Sequence, residues 1–432
     1  MVPLLRVASP FIAHGGGGGH TPAQIRHAYG FDAIAALGSG QIVAIVDAYG
    51  SPTLLSDLNT FCSKYALPTT ALTVVQPGGA PATTDAGWGY ETTMDVEWAH
   101  AIAPEAQILL VVTPTAGSND LFAGVDYAST YKDPTTGQGV FQVSLSWGGA
   151  EDPGETSLDA HFSNPQIAYF AAAGDGGAGA QYPAASPYVV GVGGTTLTLD
   201  PLGAVVSETA WSQSAGGPSL YEPEPTFQRG VHTGSMRETP DVSYSADPSA
   251  GFAVYCSTPY NGIVGWSLGG GTSAGTPQWA ALAAIVNSQR ATPLAGADWA
   301  IYAAPYSTDF RDITSGSDGA YSAGTGYDEV TGLGSPLAGT LIPSLVGAGP
   351  PPPPPPPPPP SPPPTASPSP PPVPPPSPSP APSPSPTASG FSGGGGSHGG
   401  GGCALDPPGG SGAASLPLLA LALALAALRR RG

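Results

Sequence analysis

The residues of this chain that could do chemistry lie in separate segments. Glu91 and Asp95 stand four apart, so in a helix their carboxylates share one face, one turn apart. Carboxyl groups held that close share a proton rather than both ionising, and they titrate as a pair. Ser273 ends the turn Gly-Gly-Thr-Ser, just before an apolar run over residues 279–286. A Ser held where a Gly-rich turn enters a helix is presented beside the positive end of the helix dipole, as a nucleophile would be. Asp175 follows the apolar stretch Ala-Ala-Ala-Gly, and a carboxyl group there donates a hydrogen bond only while protonated. Plainer readings stand beside these. An isolated Gly-Thr-Ser turn is usually a helix N-cap, and two acids one turn apart usually form a solvated face.

The elements that must position these residues are legible in the apolar runs. Residues 41–48, 107–112, 139–147 and 167–173 are near-continuously apolar, as central strands covered on both faces are. Helical segments over 53–66, 91–102, 121–131 and 273–290 separate or follow them. This alternation implies an α/β fold with a mainly parallel central sheet, right-handed crossovers and flanking helices. Ligands bind such sheets at the carboxyl ends of the strands, where Asp175 and the segment Ser146, Trp147, Gly148 fall. Asp47, at the end of the first strand, is read as structural, accepting backbone hydrogen bonds in the next turn. His100 is nine residues beyond Glu91, and is read as a structural histidine.

Together the motifs resemble those of the sedolisins, or serine-carboxyl peptidases, a family of subtilisin-like fold. Gly-Gly-Thr-Ser273, the Glu91/Asp95 helix, the Ala-Pro-Glu-Ala turn running into the strand at 107, and Ala-Ala-Ala-Gly-Asp175 occur in family order over roughly residues 21–341. In subtilisins the helix before that turn carries the catalytic His, which is absent here. An oxyanion-binding Asn stands there where this chain has Asp175. The resemblance implies a three-layer subtilisin-like fold and a serine endopeptidase active in acid. Ser273 would be its nucleophile, Glu91 the base, Asp95 the acid that orients Glu91, and Asp175 the oxyanion donor. Ser146, Trp147 and Gly148 would form the edge that pairs with substrate backbone. Tripeptidyl cleavage is the other mode the family offers.

Asp312-Ile-Thr, followed by Ala-Gly-Thr-Gly-Tyr-Asp328, resembles the sedolisin calcium loop. The resemblance assigns one Ca2+ to the side chains of Asp312 and Asp328, the carbonyls of Ile313, Gly324 and Gly326, and a water. Such an all-oxygen shell suits calcium. Gly/Asp loops taken alone are more often simple turns. A catalytically inactive, peptidase-like binding or cell-wall module is the alternative function, and retention of all four catalytic positions disfavours it.

Composition describes a folded domain with a tail. Eleven Lys and Arg against 30 Asp and Glu give a net charge of −19, which argues against a nucleic-acid partner, since that would need basic patches. Protein or peptide substrates and a monomeric state are expected. Four segments follow: Gly-rich residues 1–20, the peptidase-like domain 21–345, a stalk over 346–402, and a tail over 403–432. Between 350 and 386 the chain has 26 of its 55 prolines, a composition that forms polyproline II spacers rather than a core. The 16 apolar residues 413–428 precede three arginines and fall short of the ~20 that comfortably span a bilayer. They fit either a short membrane anchor or, with small residues ahead of them, a lipid-anchor signal. Attachment to membrane or wall places the domain outside the cytosol, in an extracellular or acidic vacuolar or lysosomal setting. The family resemblance implies a long N-terminal propeptide, whereas the catalytic motifs here begin near Thr21, so the expectation is either a truncated sequence or a member made without one; residues 1–13 do not read as a convincing signal peptide. Three cysteines allow at most one intrachain disulfide.

Overall fold

A computed structural model describes residues 1–3, 6–10, 19–351 and 381. The chain divides into two units, Met1–Pro356 and Pro357–Gly432. The stalk and tail expectations therefore lie almost wholly outside the described residues.

The chain opens with strands β1 (Val2–Pro3) and β2 (Arg6–Pro10) and helix α1 (Pro22–Ala28). Strand and helix then alternate as β3 (Ile42–Ala48), α2 (Leu54–Tyr65), β4 (Leu72–Val75), α3 (Ala86–Ile102), β5 (Gln107–Thr113), α4 (Ser118–Thr130) and β6 (Gln142–Leu145). Next come β7 (Trp147–Ala150), β8 (Ala168–Ala172), β9 (Gln181–Tyr182), β10 (Val189–Leu199) and β11 (Val205–Ala210). A run of strands, β12 (Gly217–Pro223), β13 (Met236–Thr239), β14 (Val242–Ser245), β15 (Phe252–Tyr260) and β16 (Ile263–Gly270), leads into helix α5 (Thr272–Asn287). Helices α6 (Ala297–Ala303), α7 (Tyr306–Asp309) and α8 (Ala338–Gly347) complete the domain.

The central sheet has the order β11-β10-β8-β6-β3-β5-β4, with β14 also paired to β10. All its pairings are parallel except β10 with β11. Successive β3 side chains enter opposite cores. Val43 and Ile45 pack with α2, α3 and α5, whereas Ile42, Ala44 and Val46 pack with α4. Both faces of the sheet are thus covered, which explains the continuous apolar runs. The expected α/β architecture is present, and its helix boundaries shift by a few residues. Helix α3 starts at Ala86, earlier than expected, because Asp85 caps it by accepting from the Trp88 amide at 2.9 Å. The apolar run 139–147 splits at Ser146 into β6 and a separate strand β7.

Cys62 and Cys256 are free and buried, and burial pushes both thiols up to about 11, so they are unreactive packing groups. Cys403 lies outside the described residues. No helix among the described residues is long and apolar enough to cross a membrane.

Candidate active site

Ser273 is the second residue of α5 and fully buried. Gly271 before it has φ +98, a left-handed conformation that side chains resist and that turns β16 sharply into the helix. Pro277 lies four residues on, inside α5, and lacks the N–H that would close the helical bond to the Ser273 carbonyl. The Ser146 hydroxyl donates to that carbonyl instead, at 3.4 Å. In return the Ser273 hydroxyl donates to the Ser146 carbonyl, also at 3.4 Å. The nucleophile position is thus tied to the turn between β6 and β7.

Helix α3 brings Glu91 and Asp95 to the same place. Both are fully buried, so the solvated-face reading fails. Burial raises Glu91 well above the ordinary carboxylate range, with the Asp95 and Asp47 charges adding to it and the Ser273 hydroxyl pulling it back. Burial likewise raises Asp95, again with Asp47 adding, while Ser146 and Glu91 oppose the rise. The carboxylate oxygens of Glu91 and Asp95 have no partner at ordinary hydrogen-bond distance. The Ser273 hydroxyl and the Glu91 carboxyl therefore face each other.

Asp47 is a correction to the sequence reading. Its two carboxylate oxygens are buried and accept no backbone hydrogen bond. Parallel pairing of β3 with β6 sets the end of β3 beside the Ser146 turn, so Asp47 joins the Glu91/Asp95 cluster. Burial raises it to about 7, with Thr92 the only opposing influence. No sequence spacing links residue 47 to residue 91; the Val-Ala-Ile-Val-Asp strand end was the one available signal. His100 is structural, as expected. It is buried and its Nε2 meets the Pro68 carbonyl at 2.7 Å.

Asp175 leaves β8 through Gly174, whose φ is +123 and whose missing Cβ would strike the Gln181 side chain at 2.6 Å. Only Gly fits that bend. One oxygen of Asp175, Oδ1, accepts from the Thr272 amide at 2.8 Å and from the Thr272 hydroxyl at 2.9 Å. Asp175 is therefore fastened to the first residue of α5, next to Ser273.

The edge formed by Ser146, Trp147 and Gly148 is engaged by the chain's own first residues. Strand β1 pairs antiparallel with β7, Val2 opposite Gly148 and Pro3 opposite Trp147. The other side of β7 pairs with β9. Beyond it β2 pairs antiparallel with β16, Arg6 opposite Gly270. An open strand edge is a template for any extended segment, and here it holds residues 2–3. The Trp147 side chain points inward, its indole donating to the Val46 carbonyl at 2.8 Å.

The candidate metal loop also converges. The Gly324 amide donates to Asp328 Oδ2 at 3.0 Å, and the Gly326 amide approaches Asp312 Oδ1 at 3.3 Å. Burial raises Asp328. Tyr306 is pushed up by burial and by both carboxylates, so Asp312 and Asp328 both lie near its hydroxyl. Arg311 beside them pairs with Glu208 instead, at 2.7 Å, so it does not balance them. Open space adjoins Gly324 and Gly326. No cluster of three or more His, Cys, Asp or Glu among the described residues could hold a metal. Two carboxylates on this loop suit a hard cation that takes carbonyl and water oxygens, with Asp328 also accepting from the Gly324, Val330 and Thr331 amides.

Comparison with known proteins identifies the family and the fold. The sequence profile of the subtilase family matches residues 80–310. Kumamolisin of Bacillus sp. (strain MN-32) is 32% identical over 369 residues, covering 76% of this chain and 64% of that protein. Sedolisin of Pseudomonas sp. (strain 101) is 29% identical over 380 residues, covering 77% of this chain and 63% of that protein. The chain thus spans just under two thirds of the length of these two relatives. The solved structure of Pseudomonas sedolisin, a serine-carboxyl proteinase complexed with two molecules of pseudo-iodotyrostatin, superposes with a TM-score of 0.64 at 26% identity. That match covers 77% of this chain and 99% of the other. With the subtilase profile matched across more than half its length, this chain belongs to the subtilase family, in its sedolisin branch, and has the subtilisin-like fold.

Proposed function

We propose that the chain is a serine-carboxyl endopeptidase that hydrolyses peptide bonds in acid. The observation that carries this reading is a buried carboxyl pair, Glu91 and Asp95, facing a buried Ser273 at the start of α5. Both carboxyls are raised and titrate as one unit, and the reading requires the form with one shared proton, in which Glu91 acts as the base. Glu91 takes the Ser273 proton as Oγ attacks the peptide carbonyl, then delivers it to the leaving amine. Water repeats the cycle on the acyl-enzyme and returns the proton to Ser273. Protonated Asp175 donates to the oxyanion, a role available only below its own ionisation. Backbone pairing along β7 would hold the peptide, as it now holds Val2 and Pro3.

A calcium ion would be held by the carboxylates of Asp312 and Asp328 and the carbonyls of Ile313, Gly324 and Gly326. Its contribution when bound is to neutralise that loop and close it. The loop supplies no catalytic residue, so its role is structural. An extracellular or acidic compartment suits both the mechanism and the acidic surface.

A peptide aldehyde offered to the folded protein at acidic pH should add to Ser273. Glu91→Gln should lower turnover roughly 10²–10⁴-fold, the usual contribution of a general base, with the fold intact by circular dichroism. A folded wild type that cleaves no peptide and leaves Ser273 unmodified at any pH would overturn the reading.

A further inference from the structure

At the end of the sheet opposite the active site lies an apolar groove of about 630 Å³. The polarity of β8 sets the two apart: its first residue, Ala168, lines the groove, whereas its far end leads to Asp175. Aromatic side chains from three separate segments form the walls. Tyr188, 49% exposed, precedes β10. Phe227 and Trp299 meet edge to face at 6.1 Å. Pro187 and Pro225 continue the apolar surface, and the exposed guanidinium of Arg229 stands among them.

One residue of the lining comes from the end of the domain itself. Pro351 lines this groove and packs on Gly296, where an added Cβ would meet its ring at 3.1 Å. The approach of the chain to that point is fixed by Arg290, whose Nη1 donates to the carbonyls of Leu345, Val346 and Ala348 at 2.7, 2.7 and 3.0 Å. The residues after Pro351 are an unbroken run of proline through 360.

We propose that this groove seats the start of the chain's own proline run, residues 352–356, as a polyproline II segment that fixes the stalk to the domain. Polyproline II has no internal hydrogen bonds, so its carbonyls are free acceptors and its proline rings form an apolar ridge. Aromatic-lined grooves with donors beside them are the general way proteins hold such a helix. Tyr188, Phe227 and Trp299 supply the ring surfaces, and the Arg229 guanidinium supplies donors for carbonyls. Five prolines extend over about 16 Å at ~3.1 Å per residue, and they need no linker because Pro351 is already in place. The segment carries no charge, so seating it strands no counter-ion in an otherwise acidic protein.

The test uses the full-length chain and a free decaproline peptide as probe, with binding read by tryptophan fluorescence and calorimetry. In one variant, residues 352–356 are replaced by Gly and Ser, which empties the groove without touching its walls. That variant should bind decaproline. The intact chain should bind it roughly tenfold more weakly or worse, because a tethered segment competes at an effective concentration in the mM range. Adding Trp299→Ala to the tail variant should abolish binding, and Trp299→Phe should restore part of it. Equal binding by intact and tail-substituted chains would show a groove open to other polyproline chains and overturn the proposal. Absence of binding by a tail-substituted chain that is folded by circular dichroism would overturn it as well.

Discussion

Asp175 shows how a single residue can carry both position and pH dependence. Its Oδ1 takes two bonds from Thr272, which orients the carboxyl beside Ser273, and its proton is what makes it a donor to an oxyanion. Asp175→Asn keeps a donor of similar shape at every pH, so it should retain more activity than Asp175→Ala and extend the active range toward neutral. Removal of an oxyanion donor lowers turnover ~10²–10³-fold, and that is the loss expected of Asp175→Ala in a pH-rate profile. Equal acid activity of Asp175→Ala and wild type would refute the assignment. The spacing of Glu91 and Asp95 was readable from the sequence because it is local to one helix. The place of Asp47 was not, because only the pairing of β3 and β6 sets it beside them.

Among the elements, the short strands at the start of the chain have the clearest consequence. Val2 and Pro3 pair with Gly148 and Trp147, and Arg6 pairs with Gly270, so residues 2–3 and 6–10 run along the edges that a peptide substrate would use in the proposed mechanism. Deleting residues 1–10 should therefore lower KM for a peptide substrate severalfold with kcat little changed, since the deletion removes a competitor and no catalytic group. An unchanged KM would show that substrate binds elsewhere. The loop joining Asp312 and Asp328 acts through stability instead. Calcium binding requires ionised carboxylates, so chelation and low pH should reinforce each other. Chelator should lower the melting temperature of the wild type and leave Asp328→Ala unaffected, while folded Asp328→Ala keeps the same cleavage preference. A wild type that neither binds calcium nor responds to chelator would refute the metal site and leave the catalytic reading standing.

At the scale of the whole molecule, buried acids outweigh buried bases among the described residues. Burial raises Asp47 to about 7 and Asp298 to about 8, lifts Glu97 well above its ordinary value, and lifts the Glu91/Asp95 pair, which holds one shared proton in the proposed active form. In the folded state these groups keep protons that the unfolded chain has released above about pH 4. The unfolded state then binds fewer protons, and stability falls as pH rises from about 4 through 7 and 8. His20 and His100 act oppositely, since burial lowers both and their contribution is lost as pH falls below about 6.5. The carboxyls are more numerous and further displaced, so the melting temperature should drop between pH 5 and pH 8. A loss of about 3 kcal/mol corresponds to about 4 °C at this size. Calorimetry showing equal or higher stability at pH 8 would contradict this account.

The sequence by itself determined the elements and their chemistry. Continuous apolar runs specified strands buried on both faces, a four-residue interval put Glu91 and Asp95 on one turn of helix, and Gly-Gly-Thr-Ser put Ser273 at a helix entrance. These are properties of neighbouring residues, and local periodicity encodes them. Tertiary structure alone decided that the acidic face is buried, that Asp47 completes the cluster, and that Ser146 replaces the bond Pro277 cannot make. It also decided that the β7 edge holds the chain's own N-terminus. Each depends on residues tens to hundreds of positions apart brought together by sheet order, and burial and electrostatic coupling depend on that distance in space rather than in sequence.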